Sequence, residues 1–188
     1  YLEPAVMRAW DHFWNTTGEH PELMEHYAGA WGAVARHFAD VPGVYAYDLM
    51  NEPYGGTLQG PQFESGPLTR PYQLSANAIR QADPDTWICV SPQAMGTNWG
   101  TPSGLGRVTD PRPGDPRIAY CPHLYPLMLD LGSGYNGSSR AQIDTTVDLW
   151  RGNALRTAHR LGDVPIILDE FGLDTTQDGA LDYVRLVL

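Results

Sequence analysis

Residues 44–53 read Val44-Tyr45-Ala46-Tyr47-Asp48-Leu49-Met50-Asn51-Glu52-Pro53. The first seven make a largely apolar run of strand length, and polar chemistry follows at once in Asn51 and Glu52. Runs without polar alternation are buried on both faces, as in parallel sheets covered by helices. Upstream, His20-Pro21 opens a helix with apolar residues at Leu23, Tyr27, Trp31, Val34 and Phe38, one face of an α-helix, and Pro42-Gly43 ends it. Downstream, a polar Gly-rich loop from Gly55 to Gly66 leads to a second helix. Thr69 is its expected N-cap, Pro71 lies in its first turn, and Asp83-Pro84-Asp85 stops it.

The same unit then recurs. A strand over 87–91 is followed by a long Gly/Pro/Thr loop to about Pro116, with room for one short helix. A third strand over 118–122 ends in His123-Leu124-Tyr125-Pro126. A third helix carries Ile143, Val147, Trp150, Ala154, Ala158 and Leu161 on one face, with Gly162 as its stop. A fourth strand over 165–168 delivers Asp169-Glu170-Phe171-Gly172, and a fourth helix starts near Asp178. Polar residues gather after the C-terminal ends of strands, the edge at which parallel α/β folds place their active sites.

The strand ends recur at roughly forty residues, against about 31 per unit for a whole (β/α)8 barrel of about 250 residues. The chain is therefore either a small open α/β sheet or about four units of a TIM barrel. An opening YLEPAVMRAW without initiator Met, and a last helix cut at Leu188, favour the piece. The expected domain is a partial barrel over 1–188, short at both ends.

Composition excludes several functions. The net charge of −10, from 22 acidic against 12 basic residues, opposes nucleic acid or an anionic membrane as partner, since both demand clustered cations. No apolar run reaches the eighteen or so residues of a membrane span. There is no phosphate-cradling GxxxxGK[ST] loop, no zinc-spaced cysteine set and no H-E-x-x-H, so neither metal nor cofactor is expected. Cys89 and Cys121 sit inside apolar runs and read as buried free thiols.

Two strand-end glutamates, Glu52 and Glu170, form the sharpest constellation. Retaining glycoside hydrolysis needs two carboxyl groups about 5–5.5 Å apart, one protonated to serve the leaving oxygen and one ionised to attack. Like charge between them helps keep the first protonated. The pair alone reads equally well as capping or salt-bridge glutamates.

Asn51-Glu52-Pro53, His123-x-Tyr125 and Glu170-Phe171-Gly172, in this order at successive strand ends, resemble glycoside hydrolase family 5. The resemblance covers nearly the whole chain and implies strands 4 to 7 of an eight-stranded barrel. It implies Glu52 as acid/base, Glu170 as nucleophile, Asn51 on the sugar 2-hydroxyl, Tyr125 beside Glu170 and His123 around the acid/base. Within the family, Asp11-His12-Phe13-Trp14-Asn15, Tyr27-Ala28-Gly29-Ala30-Trp31 and Ser91-Pro92-Gln93 look like the endoglycoceramidase group, although a Glu is more usual where Ser91 stands. Asp169 replaces the Gly common before the nucleophile.

The resemblance thus implies a retaining endo-β-glycosidase acting on glycosphingolipid, secreted and monomeric when complete. A β-glucanase or β-mannanase, or a binding relic without turnover, are the rivals. Loop aromatics suit sugar stacking or an acyl groove, and Trp14 and Trp99, with Gln93, are the remaining expected substrate contacts. Trp31 and Trp150, on apolar helix stripes, are expected in the core.

Overall fold

A computed structural model describes residues 2–188. Three short parallel strands form its centre: β1 (Ala46–Asp48), β2 (Trp87–Val90) and β3 (Ile118–Tyr120), side by side in that order. Ala46 faces Trp87, and Ile88 faces Ile118. A fourth segment extends the sheet past β3 without becoming a regular strand. Tyr120 N–H donates to the Pro165 carbonyl, Ile167 N–H donates to that of Tyr120, and isolated bridges join Tyr120 to Ile166 and Leu124 to Phe171. The expected strand over 165–168 is thus only a ribbon. Pro165 has no N–H for the ladder, and among the described residues nothing pairs with the ribbon's far edge.

The helices are α1 (Pro4–Phe13), α2 (Glu22–Phe38), α3 (Gly60–Phe63), α4 (Thr69–Arg80), α5 (Ala94–Thr97), α6 (Leu127–Asp130), α7 (Gly137–Arg160) and α8 (Ala180–Val187). The sequence pattern did not announce α1. In α2 the buried stripe is Met24, Ala28, Gly32 and Ala35, one position off the expected face. These small residues let α2 lie close on α4: a Cβ on Gly32 would meet Ala78 at 3.4 Å. Tyr27 and Trp31 flank the stripe, while Val34 and Phe38 are each 38% exposed.

The second helix also departs from expectation. Gly60, Pro61, Gly66 and Pro67 read as loop, yet α3 runs through a π-helical turn (Glu64–Leu68) directly into α4. Thr69 is therefore mid-helix rather than N-cap. Pro67 and Pro71 remove two N–H donors; the turn widens, and the Thr69 hydroxyl donates to the Glu64 carbonyl at 2.6 Å.

Between β2 and β3 there is no crossover helix beyond the single turn of α5. Residues 101–110 run instead as an extended strap with Leu105 and Val108 buried. Polar clamps hold it: Arg160 donates to the Ser103 and Leu105 carbonyls, Gly106 N–H donates to Thr69 Oγ1, and Gln73 exchanges two bonds with the Thr109 backbone. α7 follows the predicted face, burying Ile143, Val147, Trp150, Ala154 and Ala158, and Gly162 turns the chain at φ +109°.

The principal core lies between the helices and one sheet face, built on Tyr47, Ile88, Val90, Ile118 and Tyr120. A smaller cluster of Cys89, Ala119 and Cys121 occupies a separate part of the sheet, and both thiols are free and buried. Among the described residues no helix is long and apolar enough to cross a membrane.

The strap ends on a buried ion pair. Arg80 reaches Asp110 through two bonds of 2.8 and 3.1 Å, and the Arg112 and Arg117 N–H groups donate to the same carboxylate. Burial pushes Asp110 upward, but the guanidinium and the backbone donors outweigh it and hold the carboxyl below its ordinary value of 3.8. Its stabilisation is therefore present above that value and lost as pH falls through the lower folded value. Arg80→Met strands the carboxylate and should cost about 3–5 kcal/mol at pH 7 in urea unfolding. The loss should shrink below pH 3.8, where the parent forfeits the same pair.

Candidate active site

Every strand end points its polar residue to one edge of the sheet. β1 runs out through Leu49 and Met50 to Glu52, whose backbone is left-handed at φ +45°, a region uncommon for a residue with a Cβ. That turn is held from outside by aromatic donors. Tyr27 and Trp31 of α2 both donate to the Leu49 carbonyl, and Trp14 Nε1 donates to the Tyr54 carbonyl at 2.6 Å.

β3 delivers His123, which is 3% exposed and fixed by Trp150 Nε1 on its carbonyl at 2.7 Å. Its Nδ1 lies 3.1 Å from Glu52 Oε1 and 3.3 Å from Glu170 Oε2, and its Nε2 lies 3.5 Å from Asp169 Oδ1. One carboxylate oxygen of Glu52, one of Glu170 and a ring nitrogen of His123 fall within 4.8 Å of one another. Tyr125 donates its hydroxyl to Glu170 Oε2 at 3.1 Å, while Leu124 N–H donates to the Glu170 carbonyl. Burial, then Glu170 itself, pushes the Tyr125 phenol up to about 12. It is therefore a hydroxyl donor at any physiological pH.

The pair opens into a cleft of about 380 Å³ lined by Glu52, Ala94, Met95, Asn98, Trp99, Tyr125, Asp130 and Glu170. Such a volume is at the small end of ligand pockets, about 300–1,000 Å³. Burial raises Asp130, with the Glu52 charge adding to it and the Trp99 indole opposing. Beneath the pair, burial raises Asp169 and Asp48, and each is pushed further by a neighbouring carboxylate: Glu170 for Asp169, Asp169 for Asp48. Ser91 donates to Asp48 at 3.3 Å.

Of the residues singled out from sequence, Glu52, His123, Tyr125 and Glu170 converge, and Trp99 lines the same cleft. Asn51 is exposed at the rim. Trp14 and Gln93 are corrections. Trp14 is 2% exposed, packed edge-on against Phe63 and stacked on Trp10, so its work is to hold the glutamate turn. Gln93 is buried and spends its amide on the Gly60 N–H and the Met95 carbonyl. Tyr54 and Phe63, nearby aromatics in sequence, are buried too. Sequence reasoning missed Asn98, Met95 and Asp130, which stand in or just after the single turns α5 and α6, too short for any periodicity to mark a face.

Glu52, His123 and Glu170 are donor types that a divalent cation accepts, as are His12, Glu19 and His20 on the surface. At the first group, however, Asn98 and Tyr125 already aim N–H and O–H donors at the carboxylates. Protons occupy the positions a cation would take. Two carboxylates this close, one beside a phenol donor, are equipped for nucleophilic attack paired with proton transfer.

The two tryptophans can be told apart. Trp14→Phe deletes a buried N–H donor and should cost about 1–3 kcal/mol in urea unfolding. Trp99→Ala, at 37% exposure on the cleft wall, should stay within about 0.5 kcal/mol of the parent.

Comparison with known proteins fits this arrangement. Endoglycoceramidase I of Rhodococcus hoagii (strain 103S) is 29% identical over 186 residues, covering 92% of this chain and 36% of its own length. The structure of endo-glycoceramidase II from Rhodococcus sp. in complex with ganglioside GM3 superposes with a TM-score of 0.97 at 64% identity, over 100% of this chain and 42% of that one. The same enzyme's lactosyl-enzyme intermediate gives 0.92 at 60% identity, over 100% of this chain and 41% of that one. An endogalactoceramidase gives 0.68 at 27% identity, over 98% of this chain and 38% of that one. This chain thus spans about two fifths of the length of these relatives. The family model for cellulase, glycosyl hydrolase family 5, matches residues 7–186, and the chain belongs to that family.

Proposed function

We propose that these residues are the strand-4-to-7 part of a (β/α)8 barrel in a retaining endo-β-glycosidase that releases the glycan from glycosphingolipids. The observation that carries the reading is the carboxylate pair, with oxygens of Glu52 and Glu170 within 4.8 Å. Retaining enzymes hold their carboxyl groups about 5–5.5 Å apart; inverting enzymes need about 6.5–9.5 Å to admit a water. The lipid part of the proposal rests on the 64% identity to a Rhodococcus enzyme solved with a ganglioside and as a lactosyl-enzyme.

In this mechanism Glu170 attacks the anomeric carbon as its bond to the aglycone oxygen breaks, and Glu52 gives that oxygen a proton. Water then attacks the same carbon, gives its proton to Glu52, and releases Glu170. Tyr125 holds one Glu170 oxygen through its hydroxyl, which leaves the other for attack. His123 bridges the two carboxylates and fixes their spacing. In this scheme exposed Asn51 takes the sugar 2-hydroxyl, the role the family resemblance implies. No residue in the scheme requires a metal or an organic cofactor.

The test is the complete protein assayed on lactosylceramide and on a soluble β-glucan, with Glu170→Gln beside it. Intact β-lactose should leave the lipid, and the variant should fall by about a thousandfold or more. Glucan cleavage without lipid cleavage would keep the mechanism and replace the substrate by polysaccharide. No turnover of either by folded protein would overturn the reading in favour of a sugar-binding relic.

A further inference from the structure

A carboxyl group that gives a proton and takes it back must present the same oxygen on both occasions. Rotation about the last side-chain bond of Glu52 would exchange the two. Glu52 Oε1 has two neighbours: Asn98 Nδ2, donating at 2.8 Å, and His123 Nδ1 at 3.1 Å. His123 Nδ1 also lies 3.3 Å from Glu170 Oε2, so its interaction is divided between the two carboxylates. Asn98 serves Glu52 alone. Among the described residues no donor reaches Glu52 Oε2.

The amide is itself held firmly. Asn98 is 6% exposed; its N–H donates to the Ala94 carbonyl, and its own carbonyl accepts the Tyr125 N–H at 3.0 Å. Gly96 and Gly100, both at φ +93°, shape the loop, and Thr101 N–H closes it on the Gly96 carbonyl. A Cβ at Gly96 would meet Thr101 Oγ1 at 2.7 Å. Both ends of the loop are tied to one carboxylate. Glu64, 1% exposed in the π-helical turn, accepts from Gln93 N–H, Ser103 Oγ and Gly104 N–H. Tyr125, which donates to Glu170, is thus joined through Asn98 to Glu52, so one loop registers both carboxylates.

We infer that Asn98 is a positioning residue for the proton-transfer steps, locking Glu52 Oε1 so that Oε2 alone exchanges the proton. The inference rests on the glycosidase reading above. As the glycosidic C–O bond breaks, the proton on Oε2 passes to the leaving oxygen while Glu170 closes its bond to the anomeric carbon. In the second step water's oxygen bonds that carbon, its proton returns to Oε2, and the Glu170 ester bond opens. Asn98 touches none of the reacting atoms in either step.

The experiment compares two aglycones in the complete protein. An alkyl lactoside leaves as an alkoxide and needs the proton; a 2,4-dinitrophenyl lactoside leaves without one. Asn98→Ala should lower kcat on the alkyl lactoside by about 10–100-fold with KM within about twofold, part of the usual general-acid contribution. The burst of dinitrophenolate should change by less than about threefold. Asn98→Asp, isosteric and without the donor, should reproduce the split, and near-UV circular dichroism reports whether each variant is folded.

Equal slowing on both substrates would overturn the inference in favour of a purely structural loop. A raised KM with kcat unchanged would overturn it in favour of direct substrate binding, and unchanged kinetics would overturn it outright. A parent protein that releases no dinitrophenolate, or a Glu170→Gln variant that still gives the burst, would overturn the glycosidase reading and the inference with it.

Discussion

Two carboxylates within 4.8 Å of each other repel, whenever both are ionised, by about 3 kcal/mol at the effective dielectric of a protein surface, less where water reaches them. Left to themselves they would swing apart, since each ends a flexible three-carbon arm. Much of the architecture answers to that repulsion. His123 sits between the pair and faces both, Asn98 takes one oxygen of Glu52, and Tyr125 takes one oxygen of Glu170. The donors compensate the charge and limit each arm's rotation. The same closeness is what chemistry at a single carbon requires from opposite sides.

Behind these donors stands a second set of constraints that never meets the cleft. Tyr27 and Trp31 grip the chain just before Glu52, and Trp14 grips it just after, which keeps a left-handed residue in place. Trp150 does the same for His123. Buried Glu64 gathers the loop that carries Asn98 and Trp99. Its carboxyl is pushed upward by burial, with the three donors opposing. Aromatic side chains thus work here mainly as rigid hydrogen-bond donors on long levers.

The polar cluster at the sheet edge was legible because strands and their ends carry strong local signals. Val44 to Met50 and Ile118 to Pro122 read as buried runs, which by themselves assign Glu52, His123 and Tyr125 to one edge. What stayed hidden depends on tertiary context. Gly60, Pro61 and Pro67 look like breakers, and only the π-helical turn, with Thr69 on the Glu64 carbonyl, makes them helical. The face of α2 slipped by one position because Ala28, Gly32 and Ala35 are valued for closeness to α4, which hydrophobicity does not measure. Trp14 and Gln93 were residue types fit for sugar, spent instead on backbone groups. Asn98 belongs to a loop without period, and nothing in its neighbours announces it.

The strap that replaces a crossover helix has its own consequence for how this segment tolerates change in length. A helix transmits register through its number of turns, whereas here the lead into β3 is measured by clamps at Ser103, Leu105, Gly106, Thr109 and Asp110. Removing one residue between the first and last clamp would slip every later partner at once. Even the exposed stretch from Pro113 to Asp115 is measured, since Arg112 and Arg117 on either side of it both donate to Asp110 and the Arg112 guanidinium donates to the Asp115 carbonyl.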